Sequence, residues 1–358
     1  MSITTISVTI IPLTISSLIT MKWSRRLGRL KYPLAKREVN LVGAGAHIPA
    51  PLYQRWFKDL NNTDPNLRVD YQTVGSGAGI ERFTQELVHF SASDVAMKDQ
   101  EIAKVSRGVI MLPMTAHSIV LAYNVPGVSD LKLSRQAYID IFLGKITKWN
   151  DPKIIKINPD VNLPDIPIIV AHRSDTSLTT KFFTQHLSAI SSEWKQKVGE
   201  RKKVQWPTGI GGAKCDGVTA LIRQNEGAIG YIEFGFTKIA KLDTVTLENK
   251  SGNYVKASLD SAQATLAAVP LPSNLRVFIT DPEGTNSYPI VRYTWMLIYG
   301  KYDNVARATG IKKMIEYCLN EGQKVSADLG YIPLPDNVRQ KVAETADKIS
   351  PNYNIKLQ

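Results

Sequence analysis

Three turns rich in glycine or hydroxyl side chains each stand directly before an amphipathic helix pattern, and they constrain this chain more than any other feature. They occupy residues 43–49, 75–79 and 175–180. The first turn of a helix exposes unpaired backbone N–H groups and carries about half a unit of positive charge. If the three turns converge in the fold, they form a site for a small anion that is built largely from backbone N–H groups.

Strand-like segments alternate with helical patterns, which predicts an α/β fold with parallel or mixed sheets. At 358 residues the chain exceeds the usual size of one core, so we expect two lobes. Ser134 and Asp216 are expected to cap helices, and the polar stretch 243–288 predicts a surface excursion. Apolar runs predict strands at residues 39–46, 68–74, 109–113, 118–124, 166–171, 228–233 and 293–299.

The charge of the chain is unevenly distributed. Formal net charge is +12, and residues 22–37 hold seven basic residues and no acidic one, which leaves +5 for the remainder. A nucleic-acid-binding protein needs a basic stripe on its folded domain, so this distribution argues against nucleic acid as a partner. Cys215 and Cys318 lack metal-ligand spacing and are interpreted as separate buried thiols, although the sequence leaves a disulfide open.

Residues 1–38 are interpreted as an atypical leader and are excluded from the fold. Residues 1–20 are apolar and uncharged, but the basic residues follow this run, whereas a secretory signal carries them before it. Two explanations stay open at this point. Either translation starts near Met21, or the segment is an uncleaved membrane anchor.

Asp94 follows a helical pattern close to the second turn and is a candidate for selecting the anion. A carboxylate beside an anion site repels a fully deprotonated ion, but it accepts a hydrogen bond from an ion that carries a proton. Hydrogen bonds to charged groups contribute about 1.5–3 kcal/mol, so one carboxylate can separate hydrogenphosphate from sulfate. The alternative is an aspartate that merely caps a turn.

Arg173 follows a buried strand pattern and precedes Asp175 by two residues. Its planar guanidinium fits two oxygens of an oxyanion, and Asp175 can hold it in place; the alternative is a surface ion pair of little consequence. Ser76, Ser177 and Thr179 supply hydroxyl groups at helix starts, where each can instead serve as an N-cap.

Enzyme motifs are absent from the sequence. It contains no G-x-S-x-G, H-E-x-x-H or Walker A pattern, and its five histidines have no metal-ligand spacing. We therefore expect neither a catalytic residue nor a metal or cofactor.

The motifs around these residues resemble the phosphate-binding proteins of bacterial phosphate ABC transporters, cyanobacterial members included. The likeness begins near Leu41 and continues to the C-terminus. Its motifs are weak singly and specific in this order: residues 43–46 (GAGA), 92–94 (ASD), 143–146 (LGKI), 148–151 (KWND), 227–231 (GAIGY) and 288–290 (YPI).

The resemblance implies a two-lobed periplasmic-binding-protein fold of type II, with mixed sheets flanked by helices and a hinge between the lobes. Lobe I would comprise residues 39–122 and 288–358, and lobe II residues 123–287.

The resemblance also implies the ligand positions. Asp94 would be the proton-accepting carboxylate, and Asp175 would support the binding residue Arg173. His47 stands where the family usually has threonine or serine, and this changes a side-chain donor. Ile48 replaces a common aromatic residue and Leu178 a usual glycine, but both would act through backbone N–H groups. The expected phosphate-binding residues are His47, Ile48, Ser76, Asp94, Arg173, Ser177, Leu178 and Thr179.

The sequence therefore predicts a receptor and not an enzyme. We expect a monomer that binds inorganic phosphate between its lobes and presents it to the membrane permease subunits of a phosphate ABC transporter. Its expected location is the periplasm, either free or anchored through the N-terminal segment. Three alternatives stay open: a phosphate sensor, a receptor for another oxyanion such as a phosphonate or arsenate, and a phosphatase that uses the same site.

Overall fold

The computed structural model describes residues 38–358, so the predicted leader lies outside the described residues except for Glu38. The strands of the described part are β1 (Val39–Gly45), β2 (Leu67–Thr73), β3 (Phe90–Ser93), β4 (Val109–Asn124), β5 (Lys132–Leu133), β6 (Ile169–Arg173), β7 (Ile210–Gly212), β8 (Ala228–Glu233), β9 (Asp243–Thr244), β10 (Thr246–Glu248), β11 (Tyr254–Val255) and β12 (Val291–Tyr299).

The α-helices lie between these strands and after the last of them. They are α1 (Ala50–Thr63), α2 (Ser76–Thr84), α3 (Asp99–Ile102), α4 (Arg135–Phe142), α5 (Pro152–Ile155), α6 (Leu178–Ile190), α7 (Ser192–Lys197), α8 (Lys214–Gln224), α9 (Phe234–Ala240), α10 (Leu259–Ala268), α11 (Val305–Leu319), α12 (Glu321–Ser326) and α13 (Asp336–Asp347), with a 3-10 turn at Ala327–Leu329.

A mixed sheet forms the centre of the described residues, in the order β2-β1-β3-β12-β4-β8-β6-β7, and β9 also pairs with β4. The outer strands on each side run parallel, whereas β12 and β4 are antiparallel to their neighbours. A second sheet contains β11, β10 and β5. The predicted α/β fold with mixed sheets is therefore confirmed.

Strand β4 joins two groups of strands. Up to Ser118 it pairs with β12, and from Ile119 onward it pairs with β8. The change of partner lies a few residues before the expected end of the first part of lobe I. The carboxyl ends of β3, β6 and β8 carry Asp94, Arg173 and Glu233.

The core explains why these segments form regular structure. All nine residues of β12 are buried, which fits a central strand covered on both faces. Helix α1 buries an apolar face that includes Trp56 and Leu60, and the Trp56 indole N–H donates to the carbonyl of Gly322 at 2.7 Å. This bond satisfies a polar atom that burial would otherwise leave without a partner.

Three sequence predictions were wrong in detail. The strands expected at 109–113 and 118–124 form the single strand β4, because Pro113 lies at a register shift opposite Trp295, where proline is tolerated. Asp216 does not cap α8, since that helix begins at Lys214 and Asp216 lies in its first turn. The stretch 243–288 is not merely a surface excursion, because it contains three strands, α10 and the fully buried Leu247.

Other predictions agree with the structure. The Ser134 side chain accepts the backbone N–H of Ala137 and caps α4. Cys215 and Cys318 are free, buried thiols.

No sequence prediction concerned membrane-spanning helices in residues 38–358. No helix in this range has the length and apolar character needed to cross a membrane.

Candidate functional site

The first two glycine turns lie side by side. The carbonyl of Gly45 accepts the backbone N–H groups of Val74 and Gly75, at 3.0 and 2.8 Å. Gly75 has a φ of +92°, and a Cβ atom there would lie 3.2 Å from the His47 ring, so a side chain at this position would be strained. The predicted convergence of these two turns is therefore present, with His47 directly beside the start of α2.

Asp94 is held in the space between these turns and the central sheet. Its side chain is 3% exposed. Thr294 of β12 donates its hydroxyl hydrogen to the Asp94 carboxylate at 2.6 Å, and the backbone N–H of Ile48 hydrogen-bonds the same carboxylate. The Ser76 hydroxyl accepts the backbone N–H of Asp94 at 3.2 Å. Asp94 is thus fixed by three separate segments of the chain.

The protonation of Asp94 is finely balanced. Burial raises the pKa of its carboxyl group from the ordinary 3.8 to about 7, because the charged form loses contact with water. The hydrogen bond from Thr294 lowers this pKa, whereas the negative charge of Glu233 raises it. Asp94 therefore changes its charge near neutral pH.

Arg173 is the last residue of β6 and forms a bidentate ion pair with Asp175. Its Nε and Nη2 atoms donate to the two carboxylate oxygens of Asp175, each at 2.7 Å, and the backbone N–H of Lys214 donates to the same carboxylate at 3.0 Å. The hydrogen bond from Arg173 lowers the pKa of Asp175 to about 2, so this carboxylate stays charged. The remaining guanidinium nitrogen, Nη1, lies 3.5 Å from the sulfur of Cys215.

The third turn leads into α6, and its hydroxyl groups are engaged within the protein. Ser177 is the N-cap, since its hydroxyl oxygen accepts the backbone N–H groups of Thr179 and Thr180 at 3.1 and 3.5 Å. Leu178 is the first residue of the helix and is partly buried. The Thr179 hydroxyl group donates to Glu233 at 2.9 Å.

Glu233 is a candidate site residue that the sequence reasoning missed. It ends β8, and its Oε1 atom accepts from Thr179 and from the thiol of Cys215, the latter at 3.8 Å. Burial raises the pKa of its carboxyl group, and the charge of Arg173 lowers it. The sequence held a usable signal, because Glu233 follows a buried apolar strand just as Asp94 and Arg173 do, and ligands gather at such strand ends.

The candidate residues form two groups that share one region. His47, Ile48, Ser76 and Asp94 make up the first group, and Arg173, Asp175, Ser177, Leu178, Thr179 and Glu233 make up the second. The charges of Asp94 and Glu233 interact. The Tyr331 hydroxyl donates to the Ile48 carbonyl of the first group. Burial raises the pKa of Tyr331, and the charges of Glu233 and Asp94 raise it further, so this side chain senses charges of both groups.

This arrangement suits an oxyanion. Two helix N-termini, one clamped guanidinium and several hydroxyl groups provide donors, while the Asp94 carboxylate provides an acceptor for a proton on the anion. Residues 38–358 contain no cluster of three or more side chains that could hold a metal ion. A surface groove of about 500 Å³ that includes Asn61 and Asp70 lies apart from all these residues.

Comparison with known proteins agrees with this reading of the fold. A model of the PBP superfamily domain matches residues 32–321. The chain is 36% identical over 315 residues to phosphate-binding protein PstS of Pasteurella multocida, covering 87% of this chain and 91% of that protein. It is 38% identical over 320 residues to the protein of the same name from Methanocaldococcus jannaschii, covering 82% of each.

Solved structures share the fold. A periplasmic phosphate-binding protein, PfluDING, determined with bound phosphate, has a TM-score of 0.63 at 19% identity, covering 86% of this chain and 93% of its own. A putative phosphate ABC transporter substrate-binding protein from Clostridium perfringens has a TM-score of 0.55 at 19% identity and covers 83% and 100%. The predicted two-lobed fold of the periplasmic-binding type is thereby confirmed. The chain belongs to the PBP superfamily and, within it, to the family of PstS phosphate-binding proteins.

Proposed function

We propose that this protein binds inorganic phosphate in a cleft between two lobes and delivers it to the membrane permease subunits of a phosphate ABC transporter. The observation that carries the proposal is the approach of Asp94, with the turns beside it, to the group formed by Arg173 and the start of α6. Relatives that cover most of the chain are named as phosphate-binding proteins. This supports a receptor over a phosphatase.

The lobes we propose are residues 39–122 with 288–358, and residues 123–287. The change of partner along β4, between Ser118 and Ile119, supports a crossing in this part of the chain. Because β4 is continuous there, closing motions would bend one strand and its neighbours instead of unfolding a linker.

Each site residue has a proposed role. Asp94 accepts a hydrogen bond from the protonated oxygen of the anion, and a fully deprotonated ion such as sulfate meets repulsion instead. Arg173, held by Asp175, binds anion oxygens through its remaining N–H groups. The backbone N–H groups of Ile48 and Leu178, and the hydroxyl group of Ser76, complete the shell. The Ile48 and Ser76 groups hydrogen-bond Asp94 in the structure, so they must turn from Asp94 to the anion or be shared with it.

Phosphate must displace contacts that exist without it. The Ser177 hydroxyl oxygen accepts hydrogen bonds from the backbone N–H groups of Thr179 and Thr180. The Thr179 hydroxyl group donates to Glu233. We infer that binding transfers the Thr179 hydroxyl from Glu233 to the anion. Glu233 then keeps its negative charge close to the ligand unless it takes up a proton, so it contributes to the pH dependence of affinity.

We propose a periplasmic location, in keeping with the periplasmic phosphate-binding protein that shares the fold. We also propose a monomer that has no nucleic-acid partner. The expected N-terminal anchor lies outside the described residues.

Calorimetric titration of the protein with phosphate and with sulfate tests the proposal. We expect saturable binding of one phosphate per chain and much weaker binding of sulfate. The Asp94→Asn variant should bind phosphate more weakly than the wild type does and should discriminate less against sulfate. The control variant Asp70→Asn changes an exposed residue of β2 and should alter neither affinity. Equal selectivity in Asp94→Asn and Asp70→Asn would contradict the role of Asp94. Turnover of a chromogenic phosphoester would favour a phosphatase.

A further inference from the structure

A second polar cluster lies on one face of the two central strands, β4 and β12. Arg292 stands directly opposite His117, and Thr294 stands opposite Thr115. Alternate residues of a strand point to the same face, so these four side chains share one face of the sheet. Four of their buried polar atoms have no hydrogen-bond partner in the described residues: Nε of Arg292, Nδ1 and Nε2 of His117 and Oγ1 of Thr115.

Arg292 is a buried cation without a carboxylate partner. It is 7% exposed, and no carboxylate oxygen of residues 38–358 lies within 4 Å of its guanidinium. Its contacts are neutral: Nη2 donates to the side-chain oxygen of Gln185 at 2.8 Å, and its Cζ atom lies 5.0 Å from the centre of the Phe182 ring. A buried charge without a compensating charge is strongly destabilising.

The charge of Arg292 persists under physiological conditions. Burial lowers the pKa of its guanidinium to about 10, which leaves it protonated at neutral pH. The negative charge of Glu200 raises the pKa of Arg292 and so favours the charged guanidinium, but Glu200 forms no ion pair with Arg292. The cluster therefore carries one positive charge that no ion pair within residues 38–358 neutralises.

His117 completes the cluster as a neutral donor. It is 3% exposed, and its ring centre lies 6.2 Å from that of Phe182. Burial and the charge of Arg292 lower the pKa of His117 to about 3, so at neutral pH the ring has one N–H donor and one acceptor nitrogen. The weakly hydrated guanidinium of Arg292 thus contributes one free N–H donor beside the Phe182 ring, and the His117 ring and the Thr115 hydroxyl group contribute one donor each.

We propose that Arg292, His117 and Thr115 hold one small monovalent anion, chloride or another halide, between the central strands and α6. A single negative charge balances the one guanidinium, and a halide accepts several N–H and O–H hydrogen bonds without donating any. The site contains no carboxylate, which distinguishes it from the region of Asp94 and Glu233. Thr294, the fourth side chain of this face, hydrogen-bonds Asp94, so the two sites are neighbours. They use different donors, and the halide should stay bound when phosphate saturates the protein.

Anomalous diffraction tests the proposal directly. The protein is crystallised from sodium bromide with saturating phosphate, and data are collected at the bromine absorption edge. We expect a peak in contact with Arg292 Nε and the His117 ring. Water alone at this position, or the Glu200 carboxylate turned toward Arg292, would overturn the proposal.

A solution experiment provides a second readout. Chloride replaces gluconate at constant ionic strength, with phosphate saturating, and the melting temperature is followed. We expect a saturable rise for the wild type and for Arg68→Gln, which removes an exposed arginine, and none for Arg292→Gln. If Arg292→Gln does not fold, His117→Phe takes its place, and we expect it to need at least tenfold more chloride for the same rise. The same chloride dependence in all variants would refute the site.

Discussion

The unusual environment of Asp94 leads to a prediction about stability as well as binding. Replacing this residue with asparagine removes a group that titrates and leaves a side chain of almost the same shape. The pKa of Asp94 rises from the ordinary 3.8 to about 7 in the folded protein, chiefly through burial. The folded protein therefore holds a proton that the unfolded chain releases at a much lower pH.

The sign of the effect follows from this difference. Between about pH 4 and pH 7 the folded state binds more protons than the unfolded state, so the free energy of unfolding falls as pH rises through this window. The contribution is fully present below the unfolded pKa and is lost above the folded one. For a rise from 3.8 to about 7, the loss between pH 5 and pH 8 is roughly 2.5 kcal/mol.

Urea denaturation of phosphate-free protein at pH 5 and at pH 8 measures this loss. For each protein we take the change in the free energy of unfolding between pH 5 and pH 8. This free energy should fall by roughly 2.5 kcal/mol more in the wild type and in Asp70→Asn than in Asp94→Asn. Groups common to all three proteins, such as His117 and His186, cancel in the comparison. Parallel pH profiles for wild type and Asp94→Asn would refute the assignment of a raised pKa to Asp94.

Four further predictions concern single residues. Arg173→Ala should weaken phosphate binding at least a hundredfold in calorimetry, since the anion loses a clamped cation; a loss below tenfold would place the ligand elsewhere. Glu233→Gln should strengthen phosphate binding at pH 8 more than at pH 6, because it removes a negative charge near the anion, and an unchanged pH profile would exclude this role. His47→Thr should change phosphate affinity in calorimetry, because the variant exchanges a ring N–H donor for a hydroxyl donor, and superimposable titrations would exclude this. Trp56→Phe should lower the free energy of unfolding by about 1–3 kcal/mol in urea, because the buried Gly322 carbonyl loses its indole donor; a wild-type midpoint would contradict this.

Much of the fold was predictable because local patterns and tertiary packing agree. The strand starting at Val39 runs into the first turn, and the helix after Gly75 begins where the glycine permits a positive φ. Ser134 caps α4 because its side chain is the nearest acceptor for an unpaired N–H group. In these segments the residues that set local structure also face the core.

Predictions failed where tertiary context overrode the local pattern. In the sequence, Pro113 indicates the end of a strand. In the structure, β4 continues through Pro113, because the pairing with β12 shifts its register at Trp295. The polar character of Thr115 and His117 also concealed a buried strand, because sequence alone does not reveal what lies on the other side of the sheet. The stretch 243–288 looked like an exposed loop, but Leu247 pairs with Leu133 in the second sheet.

The sequence allowed the individual residues of the candidate site to be predicted, but not the contacts between them. Asp94 and Arg173 follow strand patterns near helix starts, so sequence reasoning could select them. The bond from Thr179 to Glu233 joins residues 54 positions apart, and only the fold brings them together. Likewise, the raised pKa of Asp94 depends on burial by β12 and on the charge of Glu233, which no local motif contains.

A crystal structure of the protein with bound phosphate shows whether these residues share one ligand. We expect one anion whose oxygens contact Asp94, Ser76, Arg173 and Thr179 at once, with the Thr179 hydroxyl group turned away from Glu233. A phosphate ion bound elsewhere, with Asp94 still bound only by its protein partners and Thr179 still bound to Glu233, would refute the proposed site.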